Sequence, residues 1–142
     1  VRDVERLGAI FDGLRPAVVF HAAAHKHVPL MEENPEEAVT NNVVGTRNVV
    51  EAAVRCGVQR LVLVSTDKAV KPVSVMGASK HVAEALVLSA ARRHRRAFLG
   101  VRFGNGVGDL SLPGSTSVIS VEPSMATHEP ADSSPASQFS TA

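Results

Sequence analysis

Three short, wholly or mostly apolar runs restrict this chain more than any other feature: Ala17-Val18-Val19-Phe20, Leu61-Val62-Leu63-Val64-Ser65 and Phe98-Leu99-Gly100-Val101-Arg102. Runs of that length without polar alternation suit strands buried on both faces of a parallel sheet. The stretches around them read as helices. The first is capped by Asp3, carries Glu5 in its first turn, and lines up Leu7, Ile10, Phe11 and Leu14 before Gly13 and Pro16 end it. The second starts with Asn34 as cap, Pro35 at the first position and Glu37 three after the cap, and runs to about Arg55, before Gly57. The third spans roughly Ala78 to His94, with Val82, Leu86, Val87 and Ala90 inward. Helix and strand in alternation imply right-handed crossovers and a doubly wound α/β fold with helices on both sides of the sheet. Ligands of such folds bind beyond the carboxyl ends of the strands. Function is therefore expected just after Phe20, Val64 and Val101.

Composition removes several classes. The chain has 142 residues, 44% hydrophobic and 20% charged, as in one soluble domain. It has no apolar run near the roughly 20 residues of a membrane span and no signal-peptide pattern at Val1-Arg2-Asp3-Val4-Glu5. A single cysteine, Cys56, makes no internal disulfide and fits a reducing compartment such as the cytoplasm; beside Gly57 it reads as packing. Every Lys and Arg lies at or before Arg102, so the body is more basic than the net charge of +1. A basic body suits an anionic small ligand. Nucleic acid is discounted, because the chain has no Trp or Tyr for stacking and no binding motif. From Asp109 to Ala142 the chain is rich in Ser, Thr and Pro and lacks Lys and Arg. Apart from a possible brief strand at Val118–Val121, this tail reads as disordered. The expected organisation is a domain over residues 1–108 and a tail over 109–142.

The unusual residues sit where the fold rule puts function. After the first strand comes His21-Ala22-Ala23-Ala24-His25-Lys26-His27: small residues that let a bulky ligand approach the backbone, then an amine for phosphate or sugar oxygens. A plain small-residue turn with a solvated lysine fits equally. Three histidines invite a metal, but no acid or cysteine accompanies them at ligand spacing, so no metal is expected. After the second strand, Ser65-Thr66-Asp67-Lys68 offers a hydroxyl, an acid and a base in succession, though such a loop is also unremarkable. Met76 and Lys80, four apart, share a face of the third helix. Arg102-Phe103-Gly104-Asn105 follows the last strand.

In order and spacing these segments resemble the extended short-chain dehydrogenase/reductase superfamily. In wording they are similar to its polysaccharide-biosynthesis branch, the bacterial UDP-N-acetylglucosamine 4,6-dehydratases. The resemblance is carried by H-A-A-A-H-K-H-V-P-L-M-E, N-N-V-V-G-T, S-T-D-K-A-V-K-P, V-M-G-A-S-K and V-R-F-G-N, over Val1 to about Gly108. It implies a Rossmann-like sheet, NAD rather than NADP as a tightly held cofactor, and a UDP-amino sugar as substrate. Ala22, Ala23 and Ala24 would line the dinucleotide, Lys80 would hold the nicotinamide ribose hydroxyls, and Lys26 would lie near the nicotinamide or the substrate. Asn42 would brace the strand ends, Phe103 would lie on the nicotinamide side, and Asn105 near the substrate diphosphate. Thr66 would bond the C4 oxygen, Asp67 would serve as acid and Lys68 as base, in a setting that keeps the amine neutral by burial or nearby positive charge. Met76 stands where the superfamily has a tyrosine base. A Met-x-x-x-Lys version belongs to this branch, which leaves C4 deprotonation to Thr66 or Asp67.

The resemblance also implies pieces that fall outside the chain. The glycine-rich pyrophosphate turn and the first strands would precede Val1, and a substrate-binding region would follow Gly108. The expectation is a fragment, inactive alone, whose tail arises from a frameshift or a misjoined gene end, and whose apolar sheet edge favours aggregation. Full-length relatives would be homo-oligomers, some anchored to the inner membrane. An epimerase or reductase of the same superfamily, or a non-catalytic NAD-binding remnant, are the alternative readings.

Overall fold

A computed structural model describes residues 1–104 and 116–120. In chain order the elements are α1 (Val4–Leu14), β1 (Val18–His21), α2 (Val28–Glu33), α3 (Pro35–Ala38), a π-helical turn (Val39–Val44) and α4 (Gly45–Arg55), then β2 (Arg60–Thr66), a 3-10 turn (Asp67–Ala69), α5 (Val75–His94), β3 (Ala97–Phe103) and β4 (Thr116–Ser120). The sheet order is β1-β2-β3-β4. The first three strands are parallel, with Val19 opposite Leu61 and Leu61 opposite Phe98, and β4 runs antiparallel to β3. This is the expected parallel α/β sheet. No helix among the described residues is long and apolar enough to cross a membrane.

Burial on both faces is not what the strands show. His21, Leu61, Leu63, Ser65, Phe98 and Gly100 are buried, while Val18, Phe20, Val62, Val64, Leu99 and Val101 are half-exposed or exposed. The buried set has one parity and therefore one face. Strands added in one direction by right-handed crossovers carry their helices on the same side, and α4 and α5 cover that side. Their Val49, Ala53, Ala83 and Val87 meet Leu61, Leu63 and Phe98 in the main core, which Phe11 of α1 completes. β1 ends the sheet order, and its Phe20 is 74% exposed.

Local corrections have local causes. Asp3 caps α1 as expected, its Oδ1 accepting from Arg6 N at 2.9 Å, but only Phe11 of the expected stripe is buried, and Ile10 and Leu14 face outward. Asn34 precedes Pro35 as expected, yet its amide donates to Leu30 O at the end of α2, a helix the pattern did not suggest, instead of capping α3. The second helix is not uniform: it passes through the π-helical turn, where Gly45 N–H bonds Thr40 O. α5 begins at Val75, ahead of Ala78, because Ser74 Oγ accepts from Gly77 N at 3.0 Å and caps it. Val82, expected inward, is exposed; the inner face runs instead through Met76, Lys80, Ala83, Glu84 and Val87. Thr116–Ser120 of the Ser/Pro-rich tail forms β4, close to the expected brief strand, and the rest of the tail lies outside the described residues.

Candidate functional site

Beyond His21, β1 no longer pairs with β2, whose last partnered residue is Leu63. The crevice opened there is walled by the loop after β1, by Val64–Lys68 and by the first turns of α5. It forms a cleft of about 470 Å³ lined by Ala22, Ala24, His25, Lys26, His27, Val64, Ser65, Thr66, Lys68, Met76, Lys80 and Phe103, within the size range of small-molecule sites. A groove of about 400 Å³ between α4 and α5, lined by residues such as Arg47, Val54, Leu86 and Arg93, contains none of the residues that the sequence offers for a site.

Two packing details hold the walls. Asn42, wholly buried, accepts from His25 N at 2.8 Å and donates to His25 O at 3.0 Å and Ser79 Oγ at 2.9 Å. One amide thus ties the loop after β1 to α5. Gly77 lets the start of α5 sit against the turn after β2, since a Cβ there would meet Lys68 O at 2.6 Å. A smaller cluster of Met31, Ala38 and Met76 packs beneath, so Met76 lines the cleft while belonging to a core.

The electrostatics centre on Lys80. Its side chain is buried, its Nζ donates to Val64 O at 2.7 Å, and burial lowers its pKa against the opposing pull of Glu84. Glu84, 3% exposed, receives Arg102 Nε at 2.9 Å and Nη2 at 2.6 Å. Burial, and secondarily Lys80, lowers the pKa of His21 to about 4. Thr46 Oγ1 donates to Asn42 O at 2.6 Å, so at 2.9 Å from His21 Nε2 it is left to accept, and the ring is protonated at Nε2.

The structure gathers most, not all, of the expected residues. Thr66, Lys68, Met76, Lys80, Lys26, Ala22, Ala24 and Phe103 share the cleft. Ala23 is exposed and is not part of its wall. Asp67 is also exposed and outside the wall, because its carboxylate turns back to accept from Thr66 Oγ1 at 2.9 Å. Lys68 reaches the cleft but is exposed, which removes burial from the two settings expected for it. Asn105 lies outside the described residues. Among the described residues no three metal-ligating side chains converge. Sequence reading missed the Glu84–Arg102 pair, although Glu84 stands four residues after Lys80 and would have marked that face.

Comparison with known proteins adds names to this geometry. A family model described as polysaccharide biosynthesis protein matches residues 1–121. The polysaccharide biosynthesis protein EpsC of Bacillus subtilis (strain 168) is 52% identical over 108 residues, covering 76% of this chain and 18% of that protein. An inverting UDP-N-acetylglucosamine 4,6-dehydratase of Campylobacter jejuni is 41% identical over 111 residues, covering 76% of this chain and 33% of that protein. The crystal structure of the Thermus thermophilus UDP-glucose 4-epimerase in complex with NAD superposes with a TM-score of 0.67 at 27% identity, over 70% of this chain and 37% of that one. The chain spans a third or less of the length of these two sequence relatives.

Proposed function

Given that the chain belongs to the polysaccharide biosynthesis protein family, we propose that it forms the catalytic cleft of a nucleotide-sugar 4,6-dehydratase that uses NAD and acts on UDP-N-acetylglucosamine or a similar UDP-amino sugar. The observation that carries the reading is one cleft at the carboxyl ends of parallel strands that holds both the Thr66/Lys68 segment and the Met76/Lys80 helix face. The similarity to a UDP-N-acetylglucosamine 4,6-dehydratase supports it.

The residues present fit the cofactor. Small Ala22 and Ala24 leave room at the rim, and Lys80 and Ser65 bring an ammonium and a hydroxyl to the same wall. Held there, NAD would supply the hydride acceptor for sugar C4 and the hydride donor for C6. Lys80, with donors to spare beyond Val64 O, would hold its ribose hydroxyls. Thr66 bonds the C4 oxygen, and the C4 hydroxyl proton passes to the Asp67 carboxylate, directly or through the Thr66 hydroxyl bonded to it, since the Met76 thioether is no base. Once C4 is a ketone, the C5 proton is acidic. Lys68 removes it while Asp67 protonates the departing C6 hydroxyl, so that the C6–O bond breaks, a C5–C6 double bond forms and water leaves; the Lys68 ammonium then returns a proton to C5 when C6 takes the hydride. For that step the Asp67 carboxyl rotates from its present bond with Thr66 into the cleft.

The test is calorimetric titration of the chain with NAD and with UDP-N-acetylglucosamine, followed by NMR of the sugar after joint incubation. Saturable binding of both is expected, and a 6-deoxy-4-keto product only once the pieces expected before Val1 and after Gly108 are supplied, as in a graft of residues 1–104 into the matching segment of the Campylobacter jejuni dehydratase. A product altered only in configuration at C4 means an epimerase, which has no use for an elimination base, and absence of binding by either ligand refutes the cleft assignment.

A further inference from the structure

Ser65 Oγ is the one buried side-chain polar atom among the described residues without a hydrogen-bond partner. The residue is 6% exposed and sits in the cleft wall between Val64, whose carbonyl takes the Lys80 ammonium, and Thr66, whose hydroxyl bonds Asp67. Every other buried polar side chain around it is satisfied: Asn42 by His25 and Ser79, Ser79 also by Met76 O, Glu84 by Arg102. An unbonded buried hydroxyl is a standing penalty that a native structure rarely carries without a reason. Alanine would fill the same position on β2 without it, and the strand up to that point is otherwise Leu61-Val62-Leu63-Val64.

We propose that Ser65 is a ligand-binding residue of the cleft, its hydroxyl meeting a hydroxyl of the nucleotide ribose that Lys80 holds. The inference rests on the NAD reading above and adds a contact to it. The chemistry of the pair selects the group. Lys80 can only donate, and one of its three protons already goes to Val64 O. Ser65 can both donate and accept. A vicinal diol satisfies both at once, with one oxygen accepting from the ammonium and the neighbouring hydroxyl exchanging a hydrogen bond with Ser65. A phosphate, which only accepts at neutral pH, gains less from a hydroxyl than from a second cation.

Three proteins decide it: the 142-residue chain, its Ser65→Ala variant and its Lys80→Met variant, each titrated with NAD by calorimetry and melted without ligand. Ser65→Ala is expected to weaken NAD binding about five- to twenty-fold, the loss of one hydrogen bond to a ligand. Its ligand-free melting temperature should stay level or rise, because the variant loses a penalty and no partner. Unchanged NAD affinity in Ser65→Ala, with Lys80→Met impaired, overturns the contact while leaving the NAD reading in place. A lowered melting temperature or failure of Ser65→Ala to fold also overturns it, by making the hydroxyl structural. Absence of NAD binding by the unaltered chain removes the NAD reading itself, and this inference with it.

Discussion

Acidification should destabilise this protein through His21 before most carboxylates titrate. Burial lowers the pKa of this imidazole from 6.5 to about 4, and the side chain sits against Thr46 on the covered face of the sheet. Above the unfolded value, folded and unfolded states both hold a neutral ring, and His21 adds no pH dependence. Between 6.5 and about 4 the unfolded chain binds a proton that the folded one refuses, so stability falls as pH falls. Below the folded value both states are protonated and the loss is complete. At about 1.4 kcal/mol per pH unit, the full interval is worth about 3 kcal/mol, a large part of the stability of a domain this size. The measurement is urea unfolding followed by far-UV circular dichroism, from about pH 7.5 to about pH 4.5, on the chain and on His21→Gln. Glutamine carries an amide nitrogen towards Thr46 but no titratable group. The difference between the two proteins cancels the other histidines and the carboxylates. It should be flat above neutrality and then shrink in favour of the variant. Parallel stability curves for the two proteins would refute the reasoning.

Other perturbations bear on the walls of the cleft. Glu84→Ala leaves the partly exposed Arg102 guanidinium without its carboxylate; a cost of about 1.5–3 kcal/mol is expected from chemical denaturation, and an unchanged midpoint contradicts the pair. Asn42→Ala removes the bonds to His25 and Ser79 together. It should cost about 2–3 kcal/mol and speed hydrogen exchange at the His25 amide, and exchange at the original rate would show that the loop is held by something else. Gly77→Ala should favour the helix by about 1 kcal/mol on propensity alone, but its Cβ meets Lys68 O at 2.6 Å. A lowered melting temperature is expected, and a raised one would deny the close approach.

The strands were legible because short apolar runs between helical patterns leave little else to be, and Thr66 and Lys68 fall in one cleft because they follow β2, although a loop of that wording is unremarkable without Met76 and Lys80 of α5 beside it. Motif wording added the roles. What escaped was set by tertiary contact. Burial of β1 on both faces was inferred from Ala17-Val18-Val19-Phe20, but the face of a strand that gets covered depends on where the crossover helices fall, not on its own residues. Val82 looked as apolar as Val87, yet α5 is turned so that polar Lys80 and Glu84 lie inward, because each finds a partner there in Val64 O and Arg102. No periodicity argument ranks a lysine above a valine for burial. Asp67 was placed among the cleft residues by adjacency, whereas the hydroxyl next to it captures its carboxylate.

The π-helical turn at Val39–Val44 lets one continuous run of helix serve two masters. Ahead of it, Ala38 packs with Met31 and Met76; after it, Val49 and Ala53 belong to the main core. An extra residue wound into one turn rotates everything downstream by about 100°, which aims the two halves at different neighbours. A single-residue insertion or deletion in this segment therefore acts as a twist and not as a change of length, and it forces one half of the helix to abandon its contacts. Chains of this kind should tolerate substitution at exposed Val39 and Thr40, but almost no change in the number of residues between Ala38 and Gly45.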